Sequence, residues 1–214
     1  MRRATARVAP LAREFFARAT VTVARELVGC LLLVDAGTAD EVRARIVEVE
    51  AYLGVRDPAS HAFRGPTPRA AIMFGEAGRL YVYFSYGMHH CANLVTERDG
   101  VAGAVLLRAA SVEAGEEVVR ARRGASVARD GLLRGPGNLC KGLRLTLADN
   151  GLDVCTGDTR LVVVARAQRP PVMATRRIGI SAGTDRPLRF LWEAHPAVSV
   201  PRPWRSGGEK EGTG

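Results

Sequence analysis

Glu48 and Glu50 are two residues apart in a run, Val42 to Tyr52, whose β-branched content and alternation predict a strand. Successive strand residues point to opposite faces. Ile46, Glu48 and Glu50 are therefore expected on one face and Val47, Val49 and Ala51 on the other, with the two carboxylates about 7 Å apart along the strand. Glu50 lies at the strand end, just before a long Gly/Pro-rich loop, where sites gather. A glutamate with apolar neighbours can be tuned for general-base work, with Glu48 as its partner or as the base itself. The same pattern also fits a solvated strand face.

The four tyrosines, Tyr52, Tyr81, Tyr83 and Tyr86, flank that loop. Tyr81 and Tyr83 share strand parity, and Tyr86 sits at a turn with Gly87. Aromatic faces can stack on bases, and an aromatic at a turn tip can wedge into a duplex. Core and cross-strand packing is the plainer use. His61 lies within the loop near Asp57 and Arg64. His89-His90-Cys91 has the ligand types of a metal site, but neighbouring strand residues diverge, so no metal is expected. Dinucleotide and phosphate-loop fingerprints are absent, as is a Gly-x-Ser-x-Gly elbow. Lys141 is the one lysine within the folded region, which leaves little room for Schiff-base chemistry.

These residues need elements to hold them. The 214 residues suit one or at most two domains, and 47% hydrophobic with 25% charged is globular composition. No apolar run reaches membrane-spanning length, and the basic N-terminus lacks the apolar stretch of a secretory signal. The net charge of +9 favours a polyanionic partner such as nucleic acid. Of the 31 basic residues only Lys141 and Lys210 are lysine, so coding bias toward arginine also feeds that charge. Cys30, Cys91, Cys140 and Cys155 are widely spaced and read as free thiols.

Helices are predicted at Leu11–Arg18, Val23–Val28 (closed by Gly29) and Glu113–Arg123. A fourth follows Gly135-Pro136-Gly137, with Asn138 as its N-cap. Further strands are expected at Cys30–Val34, Arg79–Tyr86, Met88–Thr96, Ala102–Arg108, Leu161–Ala165, Arg177–Ile180 and Leu188–Trp192, with Asp99-Gly100 as a tight hairpin turn. The fold class is α+β: a single domain, residues 11–204, with a curved, mostly antiparallel sheet, flanking helices and a protruding β-hairpin. Residues 1–10 read as a basic arm and residues 205–214 as a disordered tail.

Val47-Glu48-Val49-Glu50-Ala51-Tyr52-Leu53-Gly54 resembles the alkyladenine (3-methyladenine) DNA glycosylases. The resemblance continues through Asp57, His61, Thr67-Pro68-Arg69 and Met73-Phe74. It is strongest in Leu80-Tyr81-Val82-Tyr83-Phe84-Ser85-Tyr86-Gly87-Met88 with Cys91-Ala92-Asn93. It runs on through Leu106-Leu107-Arg108, Gly135-Pro136-Gly137 and Arg177-Ile178-Gly179-Ile180 to Pro187-Leu188-Arg189-Phe190. It implies a monofunctional enzyme that flips damaged purines (3-methyladenine, 7-methylguanine, hypoxanthine) out of DNA and hydrolyses the N-glycosidic bond. By position, Glu50 would be the general base and Arg108 would hold the water. Tyr52, His61 and Tyr83 would sandwich the base, Asn93 would form the pocket floor, and Tyr86 would be the wedge. The resemblance further implies approach from the minor groove of double-stranded DNA, no cofactor, no membrane, a monomer, and a cytoplasmic, nucleoid-associated location. Ala70, His90 and Lys141-Gly142 depart from the family's usual residues.

Overall fold

The computed structural model describes residues 9–85 and 87–199. Two short helices, α1 (Arg13–Phe16) and α2 (Thr20–Leu27), lead into β1 (Leu31–Val34) and the long β2 (Val42–Tyr52). After the loop come β3 (Leu80–Ser85), β4 (His89–Val95) and β5 (Ala104–Ala114), then α3 (Glu116–Arg123) and α4 (Pro136–Leu143). The chain closes with β6 (Leu161–Val164), β7 (Val172–Thr175) and β8 (Arg189–Trp192). The eight strands form one curved antiparallel sheet in the order β3-β4-β5-β2-β1-β6, with β8 also on β2 and β7 on β8. The α+β class, the antiparallel sheet and the projecting β3–β4 hairpin stand as expected. The hairpin carries exposed Phe84 and Met88 near its tip.

Strand β2 is where the sheet divides. Its first half pairs with β1 (Arg45 opposite Leu31), and its second half pairs on the same edge with β8 (Glu50 opposite Arg189), while β5 runs along the other edge. Register shifts between Ile46 and Glu48 and between Glu48 and Val49 mark the change of partner. Such a bulge turns side chains from the face that simple alternation assigns. Ile46 therefore joins Val49 and Ala51 in the main core, and Val47 joins Leu191, Ala197 and Val198 in a separate apolar cluster. The expected parity fails for Ile46 and Val47. It survives for Glu48 and Glu50, which converge on one arginine, Arg108.

Several element boundaries move, each for a long-range reason. Helix α2 begins at Thr20 because Glu97, from the β4–β5 connection, accepts hydrogen bonds from the Thr20 amide and hydroxyl, both at 2.8 Å. That supplies the cap that Ala19 cannot. The first helix shrinks to Arg13–Phe16. Asp99-Gly100 makes no tight hairpin: Thr96–Gly103 is a broad connection, held where the Gly100 amide donates to the Phe74 carbonyl at 2.8 Å. Strand β5 runs on to Ala114, since Arg45 of β2 grips the Glu113 carboxylate across the ladder. Gly115, at φ +74, then breaks it, and a Cβ there would meet the Glu41 carbonyl at 2.2 Å. Asn138 is not the N-cap of α4. Gly135 holds that place with Pro136 as the first helical residue, and the Asn138 side-chain Nδ2 donates back to the Arg134 carbonyl at 2.7 Å. Gly142 of α4 is required by packing, because a Cβ there would stand 2.3 Å from Leu133. Arg177–Ile180 is not a strand; the ladder is made by Val172–Thr175.

The core is built from Phe16, Leu27, Ile46, Leu107, Leu139 and Phe190, all buried. Their burial fixes β2 and β5 as a rigid platform, and the chemistry-bearing side chains project from it. Among the described residues, no helix is long and apolar enough to cross a membrane. Tyr86, residues 1–8 of the expected arm and residues 205–214 of the expected tail lie outside the described residues.

Candidate active site

Glu48 and Glu50 are wholly buried, so the solvated-face alternative fails. They are distinguished by what surrounds them. Both oxygens of Glu48 are occupied: the Ser199 amide donates to Oε2 at 2.6 Å, and the Ser199 hydroxyl (2.8 Å) and Arg108 Nε (3.1 Å) donate to Oε1. Arg189 adds a fourth contact, at 3.5 Å. Glu48 is thus the anchor for Arg108. Glu50 instead accepts from the Tyr52 hydroxyl on Oε2 and from the Ile178 amide on Oε1, both at 2.8 Å, with Arg108 Nη1 at 3.2 Å.

Those three partners of Glu50, Tyr52, Ile178 and Arg108, all line one cavity of about 580 Å³, a size within the usual range for ligand sites. Burial pushes the Glu50 carboxyl above the usual carboxylate range, against the pull of Arg108, the Ile178 amide and the Tyr52 hydroxyl. A carboxylate so placed is a stronger base than a solvated one. Burial, then the negative charge of Glu50, pushes the Tyr52 phenol far up, so it stays a proton donor.

The cavity walls are aromatic. Tyr81 and Tyr83 point the same way from β3, as their parity predicts, with ring centroids 5.4 Å apart. His61, from the long loop, stands edge-on to Tyr83 at 4.6 Å, and its Nδ1 is 2.9 Å from the Tyr81 hydroxyl. Arg69, also from the loop, lies over the Tyr83 ring at 4.9 Å. Asn93 of β4 is buried in the cavity wall, its amide donating to the Tyr81 carbonyl at 3.1 Å. The structure therefore gathers Tyr52, His61, Tyr83, Asn93 and Arg108 around one cavity, with Glu50 directly behind them. Tyr86 is the one candidate site residue that lies outside the described residues.

The protein packed around His61, whose ring stays exposed to the cavity, pulls its imidazole down to about 4, with Arg69 adding a smaller positive-charge effect. Its folded value thus lies below its ordinary one, so the ring is neutral at pH 7. Any cost to stability appears as pH falls from about 6.5 toward 4, where the unfolded chain takes up the proton first. A nitrogen-15 NMR titration should show the His61 ring neutral through pH 6 and titrating near pH 4; an ordinary midpoint near 6.5 would contradict this environment.

Sequence reasoning missed several contributors. Ile178 acts through its backbone amide, which no side-chain pattern announces. Ser199 and Arg189 meet Glu48 only in the folded chain. Among the described residues no group of His, Cys, Asp and Glu gathers as a metal site. In the expected diverging triplet, the His90 ring lies 5.2 Å from Phe84 while His89 packs over Gly137.

The arrangement is an aromatic-walled cavity of about 580 Å³ backed by a buried carboxylate raised above its usual range. The sequence profile of a family described as Methylpurine-DNA glycosylase matches residues 14–196 of this chain. The chain belongs to the methylpurine-DNA glycosylase family. Its relatives bear this out along nearly their full length. A Mycobacterium sp. (strain KMS) protein is 47% identical over 187 residues, covering 85% of this chain and 89% of the relative. A Methanocella arvoryzae protein is 43% identical over 196 residues, covering 90% and 97% respectively. A Mycobacterium leprae (strain Br4923) protein is 44% identical, with 85% of each chain covered. All three carry the name "Putative 3-methyladenine DNA glycosylase". The chain is accordingly a DNA-repair enzyme for alkylated bases, and DNA is its binding partner.

Proposed function

We propose that the enzyme excises 3-methyladenine, 7-methylguanine and hypoxanthine from double-stranded DNA, with Glu50 as the general base that activates water. The observation that carries this reading is Glu50 itself: buried and raised toward basicity, yet bonded to Tyr52, Ile178 and Arg108, all of which line the cavity. A base within a duplex is unreachable, so the target nucleotide is rotated out of the stack at a cost of a few kcal/mol. Tyr52, His61 and Tyr83 enclose it, and stacking on aromatic rings returns about 1–3 kcal/mol per base with little regard to base type. Asn93, in the cavity wall, crowds the exocyclic amine of guanine; unmodified guanine, a poor leaving group, is turned away, whereas 7-methylguanine bears the same amine and is excised because its base is already cationic. Tyr86 fills the gap left in the stack, entering from the minor groove.

Water, held by Arg108 and deprotonated by Glu50, attacks the anomeric carbon as the glycosidic bond breaks. The purine departs as free base and an abasic site remains. Positive charge grows on the sugar in this transition state, and the Glu50 carboxylate stabilises it. Methylated purines that already bear positive charge leave readily, whereas hypoxanthine needs a proton. The +9 net charge supplies a sequence-independent, salt-dependent grip on the phosphates. The enzyme acts as a monomer in the cytoplasm, at the nucleoid, through one domain spanning residues 11–204.

Incubation with a duplex carrying a single hypoxanthine tests this reading. Free hypoxanthine should appear, with strand scission only after added alkali. Scission by the protein alone, or no base release despite duplex binding, would contradict it.

A further inference from the structure

One buried ion pair beside the cavity has no part in the chemistry above. Asp57 and Arg177 are both wholly buried at the side chain and meet in a fork, Nη1 to Oδ2 at 2.5 Å and Nη2 to Oδ1 at 2.8 Å. They join distant parts of the chain. Asp57 heads the loop that carries His61: its Oδ2 accepts from the Leu53 amide at 3.1 Å and its Oδ1 from the Ala59 amide at 3.2 Å. The Ser60 amide donates to the Asp57 carbonyl at 2.9 Å, so the turn that presents His61 hangs on this residue.

Arg177 heads a second stretch of the cavity lining, Ile178 to Ala182. Its guanidinium also donates to the Ala51 carbonyl at 3.0 Å, between Glu50 and Tyr52, and lies 4.7 Å from the Tyr52 ring centre. The next residue along, Ile178, gives its amide to Glu50. One guanidinium thus holds the backbone beside Glu50, the ring that hydrogen-bonds to Glu50, and the amide that hydrogen-bonds to Glu50. Gly183, at φ +59, sits against the fork: a Cβ there would stand 3.2 Å from an Arg177 guanidinium nitrogen, and its left-handed backbone favours glycine. The same engagement explains why Arg177–Ile180 leaves the sheet: Arg177 turns inward to Asp57, and the Ile178 amide bonds a carboxylate in place of a neighbouring strand.

We propose that the Asp57–Arg177 pair is a positioning device for the excision step, setting the Glu50 carboxylate and the two stretches of cavity lining in register. It rests on the reading of Glu50 as the base. Buried guanidinium–carboxylate forks have fixed, planar, bidentate geometry, which lysine cannot reproduce. Arg177→Lys keeps the charge opposite Asp57 but gives up the simultaneous hold on Ala51, Tyr52 and both Asp57 oxygens. A displacement of the reacting groups by about 1 Å costs on the order of 10²-fold in rate.

The test is single-turnover excision of 7-methylguanine from a duplex, well below the melting temperature of each protein, by wild type, Arg177→Lys and Asp57→Asn. Affinity for a duplex bearing a stable abasic analogue is measured alongside. The expected result for Arg177→Lys is a rate lower by roughly 30- to 100-fold, with affinity within about threefold of wild type. Asp57→Asn should fall in the same direction. A role confined to stability would lower the melting temperature and leave the rate of the folded variants unchanged, and that outcome overturns the proposal. So does failure of both variants to fold. Absence of excision by wild type would instead overturn the reading of the site itself, which keeps the two failures apart.

Discussion

Glu50→Gln is expected to bind a lesion duplex as tightly as the parent enzyme and to excise about 10²- to 10⁴-fold more slowly, the span of a positioned general base. Glutamine matches the shape and can still accept one of the hydrogen bonds from Ile178 or Tyr52, so the cavity keeps its walls. Arg108 keeps its link to Glu48 at 3.1 Å. The pH profile gives a second reading. Because burial raises the Glu50 carboxyl, the active deprotonated form is lost as pH falls through a value above the ordinary carboxylate range. The acid limb of the wild-type profile should lie there and be missing from the variant. A 7-methylguanine duplex is the right substrate, since its base is already cationic and needs no proton to leave. In stability the sign is opposite. A group whose folded value is raised favours the fold most when protonated, below its unfolded value, and loses that advantage as pH rises through the folded value. Exchanging a buried carboxylate for a neutral amide at pH 7 therefore removes a desolvation cost. An equally active Glu50→Gln protein would transfer the base role elsewhere, with Glu48 the first residue to examine.

Arg108→Met should be costly to both fold and reaction. Arg108 is the cation shared by two wholly buried carboxylates, 3.1 Å from Glu48 and 3.2 Å from Glu50. Removing one partner from a buried ionic group strands the remaining charge and costs about 3–5 kcal/mol. For a chain of this size that corresponds to a loss of roughly 10 °C in melting temperature. Glu48 keeps Ser199 and Arg189, so the larger change falls on Glu50, whose strongest lowering influence is Arg108. Its carboxyl should rise further, moving the acid limb upward so that part of the lost activity returns at alkaline pH. A thermal melt and a pH–rate profile check both arms. An unchanged melting temperature would contradict the shared-cation account.

The strand of glutamates, the cluster of tyrosines and the α+β class were legible because they depend on local alternation and composition. Tyr81 and Tyr83 kept their expected parity because β3 pairs regularly with β4 along its whole length. Ile46 and Val47 exchanged faces because β2 changes partners from β1 to β8, and a bulge is a property of three strands at once. Thr20 opens α2 through Glu97, and Arg177 leaves the sheet for Asp57; each contact joins residues far apart in sequence, and nothing in either neighbourhood encodes it. The resemblance to a known family identified Arg108 and Asn93, which spacing alone does not distinguish from other interior polar residues. It carried no information on the hydrogen bonds that separate Glu50 from Glu48.

The most direct measurement is chromatographic identification of what the purified protein releases from methylated duplex DNA, with the Glu50→Gln protein beside it. Free 3-methyladenine and 7-methylguanine are expected from the wild type, with alkali-labile abasic sites in the DNA and little or no release by the variant. Duplex binding without any released purine, or equal release by both proteins, would contradict this expectation.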